Sequence, residues 1–461
     1  MLDTHAVIAA NRFGLGAKPG ELQRIRGRHE RWLLEQLDVR TAPKPIADLP
    51  PSYDVLRAVA QMRAKKRQMR KAGKRADQKD LGRLIGGHYR ELVLARTVAA
   101  AASDTPFAER LVHFWSNHFA ISADKREVRA VAGAIENEVV RPHLNGRFAD
   151  MLVAAEQHPT MLLYLDNIRS IGPGSKRGLR AAKRQPERRL GLNENLAREI
   201  LELHTLGARG GYDQADVTSL ARVITGWTVG RDNKSDADRG VVGRFKFDAA
   251  LHEPGAQQVL GKRYAATGVG QGEAVLRDLA LHPSTAKHVA EKLARHFVVD
   301  EPPSSLVDRL ARVFLASDGD LRALHTALVR APEAWVTPLA KYKTPREFVI
   351  STMRALDHVP DKIGPVLSSY RLLGQPPHEP GSPAGWPDTA QQWRGGDALY
   401  KRIEWANLVA RRLPLTVATE RVAQGALGPL FSEATRKAMS RAQSTAQSLT
   451  LFLASPEFQR R

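Results

Sequence analysis

Apolar residues recur at helical spacing along this chain, and a proline or a small polar residue stands just ahead of the clearest runs. Asp104, Thr105 and Pro106 precede Leu111, Phe114 and Trp115, while Pro159 opens the run Met161 to Leu165. Asn193 heads a stretch that stops at Gly207, Asp213 heads Val217, Leu220, Ala221 and Ile224, and Pro283 heads Ala286, Val289, Ala290, Leu293 and Phe297. A side-chain oxygen at the N-cap satisfies the orphan amides of the first turn, proline there loses no hydrogen bond, and glycine ends a helix at little steric cost. Strand-like alternation is confined to Arg244 to Phe247 and Gln258 to Tyr264, which could pair as a hairpin. The expectation is a mainly α, multi-helix globular domain spanning 1–461, with at most a small β-hairpin near 244–264. No fixed-period repeat points to a solenoid.

A chain of 461 residues with 43% hydrophobic content buries a large core without staples. It has no cysteine, which excludes disulfides, thiol nucleophiles and cysteine-based zinc or iron–sulfur centres. No run approaches the roughly 18 apolar residues of a membrane span, and Leu92 to Ala102, the longest candidate, contains Arg96. Met1 to Ala17 lacks a signal-peptide pattern. The chain is therefore expected to be soluble and cytoplasmic unless an exported partner carries it.

The net charge of +21 is concentrated in two places. One run, within 61–80, includes Lys65, Lys66, Arg67, Arg70 and Lys71; the other, within 172–190, includes Lys183 and Arg184. Both are expected to be exposed and at least partly mobile, the second as a loop insertion overhanging the presumed site. Neither has interleaved aromatics, so base stacking is not expected and nucleic acid is a poor candidate. An anionic polymer, lipid or acidic partner would be held by salt-sensitive attraction.

The densest chemistry lies between Asn193 and Trp227. At about 100° per residue, Asn195, Glu199 and Glu202 share one stripe, with Arg198 placed to pair with Glu194 and Glu202. His204 falls on the apolar face, so no single-ion site with Glu199 is expected; a buried histidine bonded to backbone is the plain alternative. In HFWSNHFAIS, His113 and Asn117 share a face and His118 joins Phe114 on another. That spacing misses the zinc-protease clip. Asp166 ends an apolar helix, where the dipole disfavours a negative charge, so a cation or an Asx turn should compensate it; Asn167 follows. The glycines at 14, 16 and 20 and at 172, 174 and 178 lack dinucleotide spacing, and no P-loop or nucleophile elbow occurs. His252 and His282 are lesser ligand candidates, each equally a cap or turn.

Several blocks carry a further resemblance: Arg12-Phe13-Gly14-Leu15-Gly16, HFWSNHFAIS, MLLYLDNIRSIGPGS, the 193–227 segment, HPSTAKHVAEKLARHFVVDEPP, Trp335 and Gly385-Trp386-Pro387-Asp388. In order and over nearly the whole chain they resemble the bacterial domain-of-unknown-function family numbered 1800. The resemblance implies frequent pairing with another unknown-function family, numbered 1501, whose members look like sulfatase or phosphatase relatives.

Three functional expectations follow. In the first, His113, Asn117, Asp166, Asn195 and Glu199 line a polar cleft for acid–base or metal-assisted hydrolysis of an anionic or polymeric substrate, with His118, Asn167, Glu194, Glu202, His204 and His252 as further candidates. The cofactor is left open: a divalent metal fits such a cleft, and no nucleotide or iron–sulfur motif is present. In the second, the chain is a non-catalytic partner of a 1501-family protein. In the third, the basic segments bind an anionic polymer, nucleic acid or a membrane surface.

Overall fold

The computed structural model describes residues 3–38, 41–73, 78–184, 191–231, 242–336, 338–412 and 418–461. The expected helices form over Pro106–His118, Pro159–Tyr164, Gln214–Val223 and Pro283–Phe297. Asp213 caps the third through a reciprocal capping box with Asp216. The histidines of two His-Pro pairs also act as caps: the Nδ1 atoms of His158 and His282 accept from the amides of Thr160 and Ser284, each at 3.2 Å.

One continuous apolar core runs from Ala6 to Phe458. Its aromatic centre joins distant parts of the chain, with Phe13, Phe107 and Phe297 within 6.0 Å of one another by ring centroid. Among the described residues no helix is long and apolar enough to cross a membrane. The fold is mainly α, and its β structure is two small antiparallel pairs.

The pairing differs from the expected single hairpin. Phe245–Phe247 pairs with Trp227–Val229, while Gln257–Val259 and Lys262–Tyr264 form a hairpin of their own. Leu260 and Gly261 turn that hairpin at φ of 49° and 74°. Two positive-φ residues give the primed turn that matches strand twist. The Leu260 amide is secured by Asp216 Oδ1 at 2.7 Å.

Among the described residues three helical passages widen into five-residue π turns: Ala9–Phe13, Glu136–Val140 and Ile200–His204. Each buries polar groups, namely Asn11 and Arg12, Glu136, and His204. An i→i+5 ladder adds a residue to the turn, so positions beyond it no longer follow the 100° wheel.

The first basic run continues the helix Ser52–Lys71, where Lys65, Arg67, Arg70 and Lys71 are exposed and Lys66 is half-buried. The expected loop at 172–190 contains the helix Lys176–Arg184, with Lys183 and Arg184 exposed. Residues 74–77 and 185–190 of these runs lie outside the described residues.

Candidate functional site

His113 and Asn117, one turn apart on Pro106–His118, line a cavity of about 40 Å³ together with Arg96, Arg346, His378 and Trp386. Arg96 comes from the apolar stretch, Leu92 to Ala102, of the helix Gln78–Ala102, and Arg346 from the first turn of Pro345–Ala355, where Thr344 and Glu347 form a capping box. His378 sits at φ 53°. Gly133 leaves room for it, since a Cβ there would lie 2.9 Å from His378 Nε2. Trp386 lines the cavity next to Asn117. Asn117 donates to Trp386 O at 2.9 Å and accepts from the Trp386 amide at 2.8 Å. Gly385, at φ 80°, permits this approach, because a Cβ would come within 2.6 Å of Asn117 O.

The cavity is rich in cations. Glu136 takes Arg96 at 2.7 Å and the Ser116 hydroxyl at 2.9 Å, with Arg141 at 3.5 Å. Arg141 is itself held bidentately by Glu109 at 2.7 and 2.9 Å. Burial opposes ionisation of Glu136, but Arg96 and Arg141 outweigh it and hold the carboxyl below its ordinary value. Among the described residues no carboxylate comes within ion-pair distance of Arg346; burial, then Arg96, pushes its pKa down to about 10. His113, only 2% exposed, is held well below the usual histidine range by burial and then by Arg346 and Arg96. Burial likewise pushes His378 down to about 3. Both imidazoles are neutral at pH 7. Four nitrogens here are shielded from water with no hydrogen-bond partner: Nε2 of His113 and of His378, and Nε of Arg96 and of Arg346.

Glu199 lies elsewhere. It is half-buried at the end of Asn195–Glu199, while Asn195 is exposed and neither lines the His113 cavity. Its charged neighbours are His204, Glu202, Arg198 and Glu156, and burial raises its carboxyl, with Glu202 and Glu156 adding to the effect. Instead of meeting backbone, His204 Nδ1 approaches Glu156 Oε1 at 2.8 Å without hydrogen-bond alignment, the two side chains being 1% and 0% exposed. His118 donates from Nε2 to His204 O at 3.1 Å. Glu194 joins Thr218 and Gln214 at 2.9 and 2.8 Å and reaches Arg198 at 3.5 Å. Glu202 lies within the π turn and accepts from Tyr212 at 3.4 Å rather than pairing with Arg198.

Asp166 is compensated by a cation, Lys125 Nζ at 2.6 Å, and not by an Asx turn. Asn167 donates to Ile224 O and Trp227 O at 3.1 and 3.0 Å. His252 bonds Thr225 O through Nδ1 at 2.9 Å. The first basic run lines a groove of about 790 Å³, where Arg63, Lys66, Arg67 and Arg70 face Arg169 and Arg231. Arg96, Glu136, Arg346 and His378 were not singled out from sequence as site residues; Arg96, the lone arginine in the apolar run Leu92 to Ala102, was the one available signal.

Residues 8–460 match the model of a family described as "Protein of unknown function (DUF1800)". The chain belongs to this family. No curated protein and no solved structure matches it. Several of the family-like blocks converge inside the fold. Arg110, from the helix of the HFWSNHFAIS block, donates to the carbonyl of Gly14 at 2.5 Å, and the Gly385-Trp386 block closes over Asn117. In this DUF1800 chain the contact between Asn117 and Trp386 lies on the His113 cavity itself.

Proposed function

We propose that this chain binds a small oxyanion, or the anionic group of a larger substrate, in the His113 cavity. His113 is the proton acceptor there, and the reaction class is acid–base hydrolysis. The observation that carries the reading is the convergence of two guanidiniums and two neutral imidazoles with unpartnered nitrogens on one cavity. Glu136 is already committed to Arg96, Arg141 and Ser116. An anion would supply the missing acceptors and offset Arg346, a partly buried cation without a carboxylate partner among the described residues. A volume of about 40 Å³ suits one such group or a few waters. Neutral His113 can take a proton from water or a hydroxyl.

Calorimetric titration of the full chain with inorganic phosphate, sulfate and acetate tests the binding step. At least one should bind, and Arg346→Met should weaken it tenfold or more with the fold intact. His113→Gln should retain binding but lose turnover of a matching nitrophenyl ester. If none of the three anions binds or raises the melting temperature of the native chain, the reading fails.

A second reading rests on the groove beside Ser52–Lys71. Among the described residues six cations line it, and the one acidic lining residue, Glu127, is paired with Arg63 at 2.8 Å. This supports retention of an anionic polymer. Changing Lys66, Arg67 and Arg70 together to Gln should lower the salt concentration that elutes the protein from heparin; unchanged elution would remove the groove from consideration.

A further inference from the structure

Asp3, His5 and His29, none of which lines the cavity, place three metal-ligating side chains together, with one ligand atom from each lying within 4.8 Å of the others. Asp3 caps the helix Thr4–Ile8, its Oδ1 accepting the His5 amide at 2.9 Å. That bond fixes the carboxylate beside both imidazoles. His5 Nδ1 lies 3.7 Å from Oδ1 and His29 Nδ1 lies 3.9 Å from Oδ2. His29 opens the helix His29–Glu35, and Trp335 holds both imidazoles, its ring centroid 5.5 Å from that of His5 and 4.8 Å from that of His29. The two imidazole centroids are themselves 4.9 Å apart.

We infer that Asp3, His5 and His29 form a surface site for a divalent transition metal of the zinc type. Bonds of about 2.1 Å to nitrogen and oxygen require tetrahedral ligands roughly 3.4 Å apart; the two carboxylate–imidazole separations of 3.7 and 3.9 Å are a few tenths of an ångström longer, and the ligand atoms all lie within 4.8 Å of one another. Two imidazoles and one carboxylate suit zinc and its neighbours, whereas magnesium and calcium favour oxygen alone. His29 Nδ1 is shielded from water with no hydrogen-bond partner, an unmet need that a metal would fill. Burial, and then His5, lowers the pKa of His29, while Asp3 and Glu30 oppose this. The exposed side of His5 leaves coordination positions open to water. A bound ion would tie the chain near Asp3 to the helix beginning at His29.

The full chain, stripped with EDTA and dialysed, should take up one tight equivalent of zinc against a chromophoric competitor, and cobalt should give the absorption of a low-symmetry nitrogen–oxygen site. His5→Ala should weaken zinc binding at least tenfold. Asp3→Ser keeps a capping oxygen but removes the carboxylate, and should do the same, separating ligation from capping. His29 packs against Trp335, so His29→Ala is informative only if its circular dichroism is native; His5→Ala and Asp3→Ser carry the test without it. Zinc should raise the melting temperature of the native chain and not of either variant. The absence of a single-equivalent phase, or undiminished affinity in both variants, would overturn the assignment.

Discussion

His113 with Asn117, and Asn195 with Glu199, have the same four-residue spacing on two helices of one chain, yet their surroundings are opposite. The first pair faces a cavity whose charged neighbours are mostly arginines; the second spans a short helix, exposed at Asn195 and half-buried at Glu199, where Glu202 and Glu156 lie near the carboxylate. Spacing tells which side chains share a face, and the helices packed across that face decide what they can do. Around His113 the neighbours are Arg96, Arg346 and His378, drawn from segments far apart in sequence. Around Glu199 three of the four are within five residues, and the fourth is Glu156.

The contrast is broken most severely at Glu136. Glu136→Gln removes the carboxylate that Arg96 and Arg141 share in the interior, leaving buried positive charge uncompensated. Loss of one partner from a buried pair costs about 3–5 kcal/mol, and denaturant unfolding should read a loss of that order. The same change at Glu194, in a half-buried polar network at the surface, should cost no more than about 0.5 kcal/mol. Equal effects at the two positions would remove the distinction between interior site and surface stripe.

A second test uses pH. Burial pushes His378 down to about 3, so the folded state resists protonation that the unfolded chain accepts near 6.5. The contribution of neutral His378 is fully present above pH 6.5 and is lost as pH falls below it, until the folded pKa is reached. The loss attributable to this residue reaches about 2 kcal/mol by pH 5. Urea unfolding of His378→Gln at pH 7.5 and 5 should show a shallower decline than the native chain by about that amount. Parallel declines would mean that His378 is not the buried neutral imidazole described.

How much of this was legible in the sequence follows from the range of the forces involved. Helix starts are local: Pro106, Pro159, Pro283 and the Asp213 box announce them within one turn. The shared face of His113 and Asn117 is equally local. The partners were not, because Arg346 and His378 reach the cavity only through tertiary packing, and Gly133 and Gly385 matter through clashes that only the folded chain defines. Two local rules also failed for identifiable reasons. The π turn at Ile200–His204 broke the wheel that assigned Glu202 its pairing with Arg198, although His204 is buried as the wheel implied, and Leu260-Gly261 made a primed turn without the usual asparagine signal. Asp166 lies between these extremes, since its need for compensation was readable while the compensating Lys125 was not.

The smallest expected effect is also the one that sharpens the comparison from the surface side. Burial raises the Glu199 carboxyl, with Glu202 and Glu156 adding to it, so ionisation favours the unfolded state. A raised acid imposes no penalty below its unfolded pKa and an increasing one as pH rises through the window up to its folded pKa. Glu199→Gln should therefore be neutral near pH 3.5 and stabilising at pH 7.5, by no more than about 0.5 kcal/mol given partial solvation. It should leave anion binding at the His113 cavity unchanged, because Glu199 does not line that cavity. Thermal unfolding at the two pH values, with phosphate titration of the same variant, checks both halves. Destabilisation at pH 7.5 would show that the ionised carboxylate holds a favourable contact in the fold, and altered phosphate affinity would couple the two polar stripes that the structure sets apart.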